Sequence, residues 1–251
     1  MSTAASVGWV LAGAVLVALA ACELAGALDA QGQYVGAALL TFGVIASVAL
    51  QGVGRHHPFP RLGPANLVTG FRAVLTALLA GAVVVPPTER GAWVLLALSA
   101  VAAGLDGVDG HFARRSGMSS AFGARFDMEV DALLIMALAI LAWQHGKAGS
   151  WVLLSGLLRY AFVAAGWLLP WVSRPLPASR RRQTICVVQI VGLCAAVSPI
   201  FPPGASASVA AVSLAALAAS FLVDVVWLWR IRSVRLEADV RRPAEAGRYG
   251  H

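Results

Sequence analysis

Asp106, Asp109, Asp127 and Asp131 lie in or beside stretches that are otherwise apolar enough to cross a membrane. Ionised carboxylates are costly in such surroundings unless a cation sits among them. Asp106 and Asp109 are three residues apart, and Asp127 and Asp131 four apart, so each pair shares one face of a helix. Both pairs border one short loop, and two adjacent helices can bring all four carboxylates together. Oxygen-only ligands suit Mg²⁺, Mn²⁺ or Ca²⁺, and carboxylate plus phosphate coordination is typical of Mg²⁺. Two such ions about 3.5–4 Å apart, sharing a carboxylate, would clamp a transferring phosphoryl group. Gly107, Gly110 and Gly123 would let a bulky charged ligand approach the backbone. Arg114 is placed to hold a diphosphate. The structural alternative is a set of interfacial aspartates paired with Arg114, Arg115 and Arg125.

The elements that carry these residues are membrane helices. The chain has 251 residues, 59% hydrophobic and 12% charged, where a soluble domain carries about 25% charged residues. Crossing the hydrocarbon takes about 20 apolar residues. Eight such spans are expected, at 7–28, 34–53, 66–86, 91–112, 126–145, 150–172, 184–200 and 206–229, giving an all-α integral membrane protein. The breaks after the even-numbered spans, with the C-terminal segment, hold fifteen of the nineteen Lys and Arg residues. The other loops hold only Arg90 and Lys147. The positive-inside rule therefore places the even-numbered breaks, the C-terminus and the aspartates on the cytoplasmic side. This sorting by membrane side argues against nucleic acid as the reason for the net charge of +7. Cys22, Cys186 and Cys194 have no metal-ligand spacing and read as small core residues. Leu19-Ala20-Ala21-Cys22 is similar to a lipoprotein cleavage site, but no basic residue precedes Arg55, as a secretory signal would require.

The run Asp106-x2-Asp109-Gly110-x2-Ala113-Arg114-x8-Gly123-x3-Asp127-x3-Asp131 resembles the signature of the CDP-alcohol phosphotransferase (phosphatidyltransferase) family at all eight of its positions. The resemblance implies cleavage of the diphosphate of a CDP-linked lipid or alcohol donor, transfer of the substituted phosphate to an acceptor alcohol, and release of CMP. It implies two bound metals, Mg²⁺ or Mn²⁺, held by Asp106, Asp109, Asp127 and Asp131, with Asp131 also the base. Gly110 and Arg114 match positions that contact the nucleotide diphosphate, and Ser120 falls where some members touch the donor. Pro64-Ala65-Asn66-Leu67-Val68-Thr69-x2-Arg72 looks like the segment that cradles the cytidine, which assigns Ala65, Asn66, Leu67 and Thr69 to donor binding together with Gly123. A Pro-started helix capped by Asn66 is the alternative for that segment. The implied organisation is a six-helix core at 61–232, two additional helices at 1–60 and a mobile cytoplasmic tail at 233–251. A homodimer among membrane lipids is implied as well.

The chain departs from many phospholipid-making members in ways that bear on the acceptor. Ala132 follows the last aspartate where those members carry Lys or Arg, and Arg159-Tyr160 stands where many have Arg-Glu. Arg180-Arg181-Arg182-Gln183-Thr184 comes close to a familiar helix opening, but Gln189 is shifted. Arg159, near the middle of a span, and Arg181 are expected at the acceptor or its phosphate, with structural pairing as the alternative for Arg159 and a positive-inside loop for Arg181. Glu129 lies between two of the aspartates in sequence but should point away from them on a helix. A cation path through a transporter is a different reading of the same carboxylates. Transport sites more often sit at the midplane between internal repeats, and no convincing repeat is evident. A catalytically inactive scaffold is a third reading, opposed by the complete eight-position signature.

The topology has a direct check. A cysteine introduced as Arg180→Cys should resist an impermeant thiol reagent added outside intact cells and react once the membrane is opened. Labelling from outside would invert the assignment.

Overall fold

The computed structural model describes residues 3–30, 32–56, 63–116, 120–177 and 179–246, with side chains described except at 3–6, 53–56, 107–116, 121 and 233–246. Its helices are α1 (Thr3–Ala27), α2 (Gly32–His56), α3 (Pro64–Gly81), α4 (Glu89–Ser116), α5 (Ala121–Gln144), α6 (Leu154–Leu168), α7 (Arg180–Val197) and α8 (Pro203–Ala246), with short 3₁₀ turns at Ala82–Val84 and Ser150–Leu153. No strand occurs among the described residues. The protein is an all-α membrane protein, as its composition and spans require. Five helices are long and apolar enough to cross a membrane: α1, α2, α3, α6 with the turn before it, and α8. The other three, α4, α5 and α7, carry the aspartates and the Arg180–Arg182 run.

Several boundaries differ from the sequence expectation, the end of α3 at Gly81 and the start of α5 at Ala121 among them. The sixth helix ends at Leu168, short of 172, because Pro170 has no amide hydrogen to give and disfavours helical geometry in Leu169. Leu169 is extended and the chain turns through Val172 N–H donating to Leu169 O. At the other end, α8 continues past Arg232 to Ala246.

The inner helix is α3. Its span is 67% buried against 11% for α1, and it packs on α1, α2, α4 and α5. Ala73, Ala77, Leu78 and Leu79 of α3 are buried in one core with Val130, Leu134, Leu138 and Leu141, a stripe at helical spacing on α5, against which α3 packs. Ile190, Leu193 and Val197 of α7 complete the core. The α1–α2 connection is tight. Asp29 takes a left-handed conformation at φ 50°, and Ala30 N–H donates back to Ala25 O at 2.9 Å, a Schellman-type helix end. The resulting hairpin docks on the rest of the bundle through α2 and α3. At that crossing a Cβ on Gly81 would lie 2.9 Å from Ala38 Cβ and 3.0 Å from its backbone nitrogen.

Gly81→Val should therefore force α2 away from α3 and destabilise the protein by roughly 1–3 kcal/mol, as overpacking against backbone does. Thermal unfolding in detergent checks this, and an unchanged midpoint would mean that the hairpin does not rest on α3.

Candidate active site

Three helices bring charge to one point, and a fourth brings a thiol. The α5 aspartates extend the same stripe as Val130, Leu134 and Leu138, so packing that stripe against α3 and α7 turns Asp127 and Asp131 inward. Asp106 arrives from α4. Ligand oxygens of Asp106, Asp127 and Asp131 lie within 4.8 Å of one another. Arg72 of α3 sits among them with no exposed surface. Its Nη1 is 3.0 Å from Asp106 Oδ1 and donates to Asp127 Oδ1 at 2.7 Å. Its Nη2 donates to Asp131 Oδ1. From α7, the Cys186 thiol donates to Asp131 Oδ2 at 3.4 Å.

The exposures give the site a direction. The Asp127 side chain keeps 36% of its surface exposed, against 15% for Asp106 and 13% for Asp131, so the cluster opens on the Asp127 side. Among the described residues three carboxylates gather around one guanidinium. Their all-oxygen donor set fits a divalent cation such as Mg²⁺ or Mn²⁺.

The entry of α3 builds the neighbouring wall. Gly63 occupies the N-cap position without a side-chain bond and Pro64 opens the helix, so Asn66 is not its cap. Asn66 is instead buried and faces α5, where a Cβ on Gly123 would come within 2.5 Å of Asn66 Oδ1. A side chain at 123 would therefore displace the Asn66 amide. Ser120 caps α5, its Oγ accepting from Gly123 N–H at 3.0 Å. Thr69 is buried and donates to Ala65 O at 3.1 Å, while Ala65 is half-buried and Leu67 is exposed on the outer side of α3. Asp109, Gly110 and Arg114 lie on α4, but their side chains fall outside the described residues.

Both arginines expected at the acceptor have protein partners. Arg159 pairs with Glu129 at 2.6 Å, a glutamate on the face of α5 turned away from the aspartates. Arg181 donates to Ser220 O and Oγ at 2.6 Å and to Asp224 at 2.5 Å on α8, and Arg182 reaches the same carboxylate at 3.3 Å.

Arg72 and Cys186 were not among the site residues expected from sequence. The signal for Arg72 was present: Asn66, Thr69, Arg72 and Thr76 form a polar stripe along one face of an apolar helix, and all four are buried. A charge in such a stripe requires counter-charges from neighbouring helices. Nothing in the sequence distinguishes Cys186 from an ordinary core thiol.

With this geometry, the comparison with known families is decisive. Residues 63–231 match CDP-alcohol phosphatidyltransferase. The chain belongs to that family. The match runs from the start of α3 into α8, so α1 and α2 lie outside it. Membership implies a membrane transferase that moves a phosphatidyl-type group from a CDP-alcohol to an acceptor alcohol. No curated protein and no solved structure matches the chain.

The pairing of Arg72 has a measurable consequence. Arg72→Leu leaves three clustered carboxylates without their guanidinium and should cost about 3–5 kcal/mol, the usual penalty for breaking a buried pair. Added Mg²⁺ should restore part of the lost thermal stability, and more than it adds to the unmutated protein. An unchanged melting temperature in Arg72→Leu would show that the carboxylates do not depend on the guanidinium.

Proposed function

We propose that the protein transfers a phosphatidyl group from CDP-diacylglycerol to a polar alcohol that can itself be phosphorylated, releasing CMP, on the cytoplasmic side of the cell membrane. The observation that carries this reading is the convergence of Asp106, Asp127 and Asp131 around one buried guanidinium. Asp106, Asp109, Asp127 and Asp131 would hold Mg²⁺ or Mn²⁺, whose charge would neutralise the donor diphosphate.

The chain's own residues supply the remaining requirements. Arg72 holds the carboxylates together against their mutual repulsion and keeps them oriented inward. Asn66 and Thr69, buried on the same face of α3, form the wall assigned to the cytidine, with Gly110, Arg114, Ser120 and Gly123 completing the donor site. Asp131 is the base: its Oδ1 is held by Arg72, and among the described residues Oδ2 meets the weak thiol donor of Cys186. In the transfer the acceptor oxygen forms a bond to the phosphorus that carries the diacylglycerol, and the bond from that phosphorus to CMP breaks. The acceptor proton passes to Asp131. Attack requires the acceptor to be held in line and desolvated. A membrane site lets the donor keep its acyl chains in the bilayer. Arg181 remains the proposed contact for an acceptor phosphate, which would compete with Asp224 for it. A homodimer is proposed on the family resemblance.

Asp131→Asn should keep much of the donor binding, because the amide preserves shape and one oxygen. Turnover should fall roughly 10²–10⁴-fold, the usual cost of losing a general base. Donor binding and CMP release measured on one preparation decide the point, and near-normal turnover would exclude Asp131 as the base.

A further inference from the structure

The hairpin outside the family match contributes to a second site. A cavity of about 750 Å³ lies between α2, α5, α6 and the connection after α6. That volume is within the usual range for small-molecule sites, about 300–1,000 Å³. Its charged lining is Arg125 and Glu129 from α5, Arg159 from α6 and Arg174 from the connection, and its apolar walls include Phe126, Phe162 and Val48 of α2. The cavity is not part of the aspartate centre. Arg125 and Glu129 each lie two residues from Asp127, a rotation of about 200° on an α-helix, so the two groups occupy opposite faces of α5. The body of the helix, about 10 Å across, separates them.

The charge in the cavity is unbalanced, with three guanidinium groups facing one carboxylate. Glu129 engages Arg159 through Nη2 alone. Arg159 Nε and Arg174 Nη1 are shut off from solvent and have no hydrogen-bond acceptor among the described residues. Buried donors without acceptors are costly, and planar guanidinium forks match phosphate oxygens in pairs.

We propose that this cavity binds a phosphate-bearing ligand, its anionic group held by Arg125, Arg159 and Arg174 and its apolar part resting on Phe126, Phe162 and the α2 wall at Val48. The hairpin would then be a component of a binding site, which gives a role to helices that the family match leaves out.

The test is equilibrium binding by titration calorimetry on the full chain in neutral detergent. The probes are inorganic phosphate and phosphatidic acid in mixed micelles, with diacylglycerol as the uncharged control. Either anionic probe should bind and diacylglycerol should not. The double variant Arg125→Gln/Arg174→Gln should weaken binding tenfold or more. Arg180→Gln, outside the cavity, should leave it unchanged. Val48→Trp, which fills the cavity from α2 without touching its charges, should also abolish it. Asp131→Asn should bind as the unmutated protein does, since it alters only the opposite face of α5. Binding of phosphate with the same arginine dependence assigns the site to a soluble phosphate, and binding of phosphatidic acid alone assigns it to a lipid. The proposal is overturned if neither probe binds, if the double arginine variant or Val48→Trp binds normally, or if Asp131→Asn abolishes binding.

Discussion

A guanidinium with no exposed surface, in the middle of an apolar bundle, constrains every helix around it. Desolvating such an ion costs several kcal/mol unless good geometry with opposite charges compensates. The counter-charges of Arg72 come from two other helices, α4 and α5, with none on α3 itself. The three helices must therefore sit in one register for the ion to be tolerated. That requirement explains why α3 is the inner helix, and why the aspartates on α5 continue the apolar stripe and do not face lipid. The same interaction prepares the chemistry. Among the described residues the carboxylates are drawn together around one guanidinium, and the least buried of them, Asp127, lies on the side where the cluster opens.

The parts of this arrangement legible in the sequence are those fixed by local pattern. Hydropathy gives eight helices close to their observed positions, because each apolar run ends at Gly, Pro or clustered charge. Helical spacing alone pairs Asp127 with Asp131 and turns Glu129 away. What the sequence does not reveal is which cation the carboxylates choose. Among the described residues the partner is Arg72, more than thirty positions upstream of Asp106; the side chains of Arg114 and Arg115 lie outside them. Helix-to-helix contacts decide that, and spacing along one helix carries no information about them. Arg181 shows the same limit. Its partners Ser220 and Asp224 lie on α8, which local pattern cannot place beside α7. The misplaced end of α6 is of another kind. Pro170 was visible as a helix breaker, but a hydropathy window reads across it.

The two faces of α5 divide the molecule's charge. One carries Asp127 and Asp131 toward α3, α4 and α7; the other carries Arg125 and Glu129 toward α2 and α6. A single helix thus separates an acidic centre suited to a metal-bound diphosphate from a basic cavity suited to a phosphate. Family membership accounts for the first face. The second depends on a helix beyond the matched residues.

The claim on which the account turns is that the carboxylates around Arg72 form a metal-dependent transferase centre. Release of labelled CMP from CDP-diacylglycerol, followed across a panel of acceptor alcohols with and without Mg²⁺, tests it most directly. The account predicts CMP release that requires both the divalent cation and a suitable acceptor. Release that persists undiminished after chelation would contradict the metal centre, and no release with any acceptor at saturating Mg²⁺ would contradict the proposed reaction.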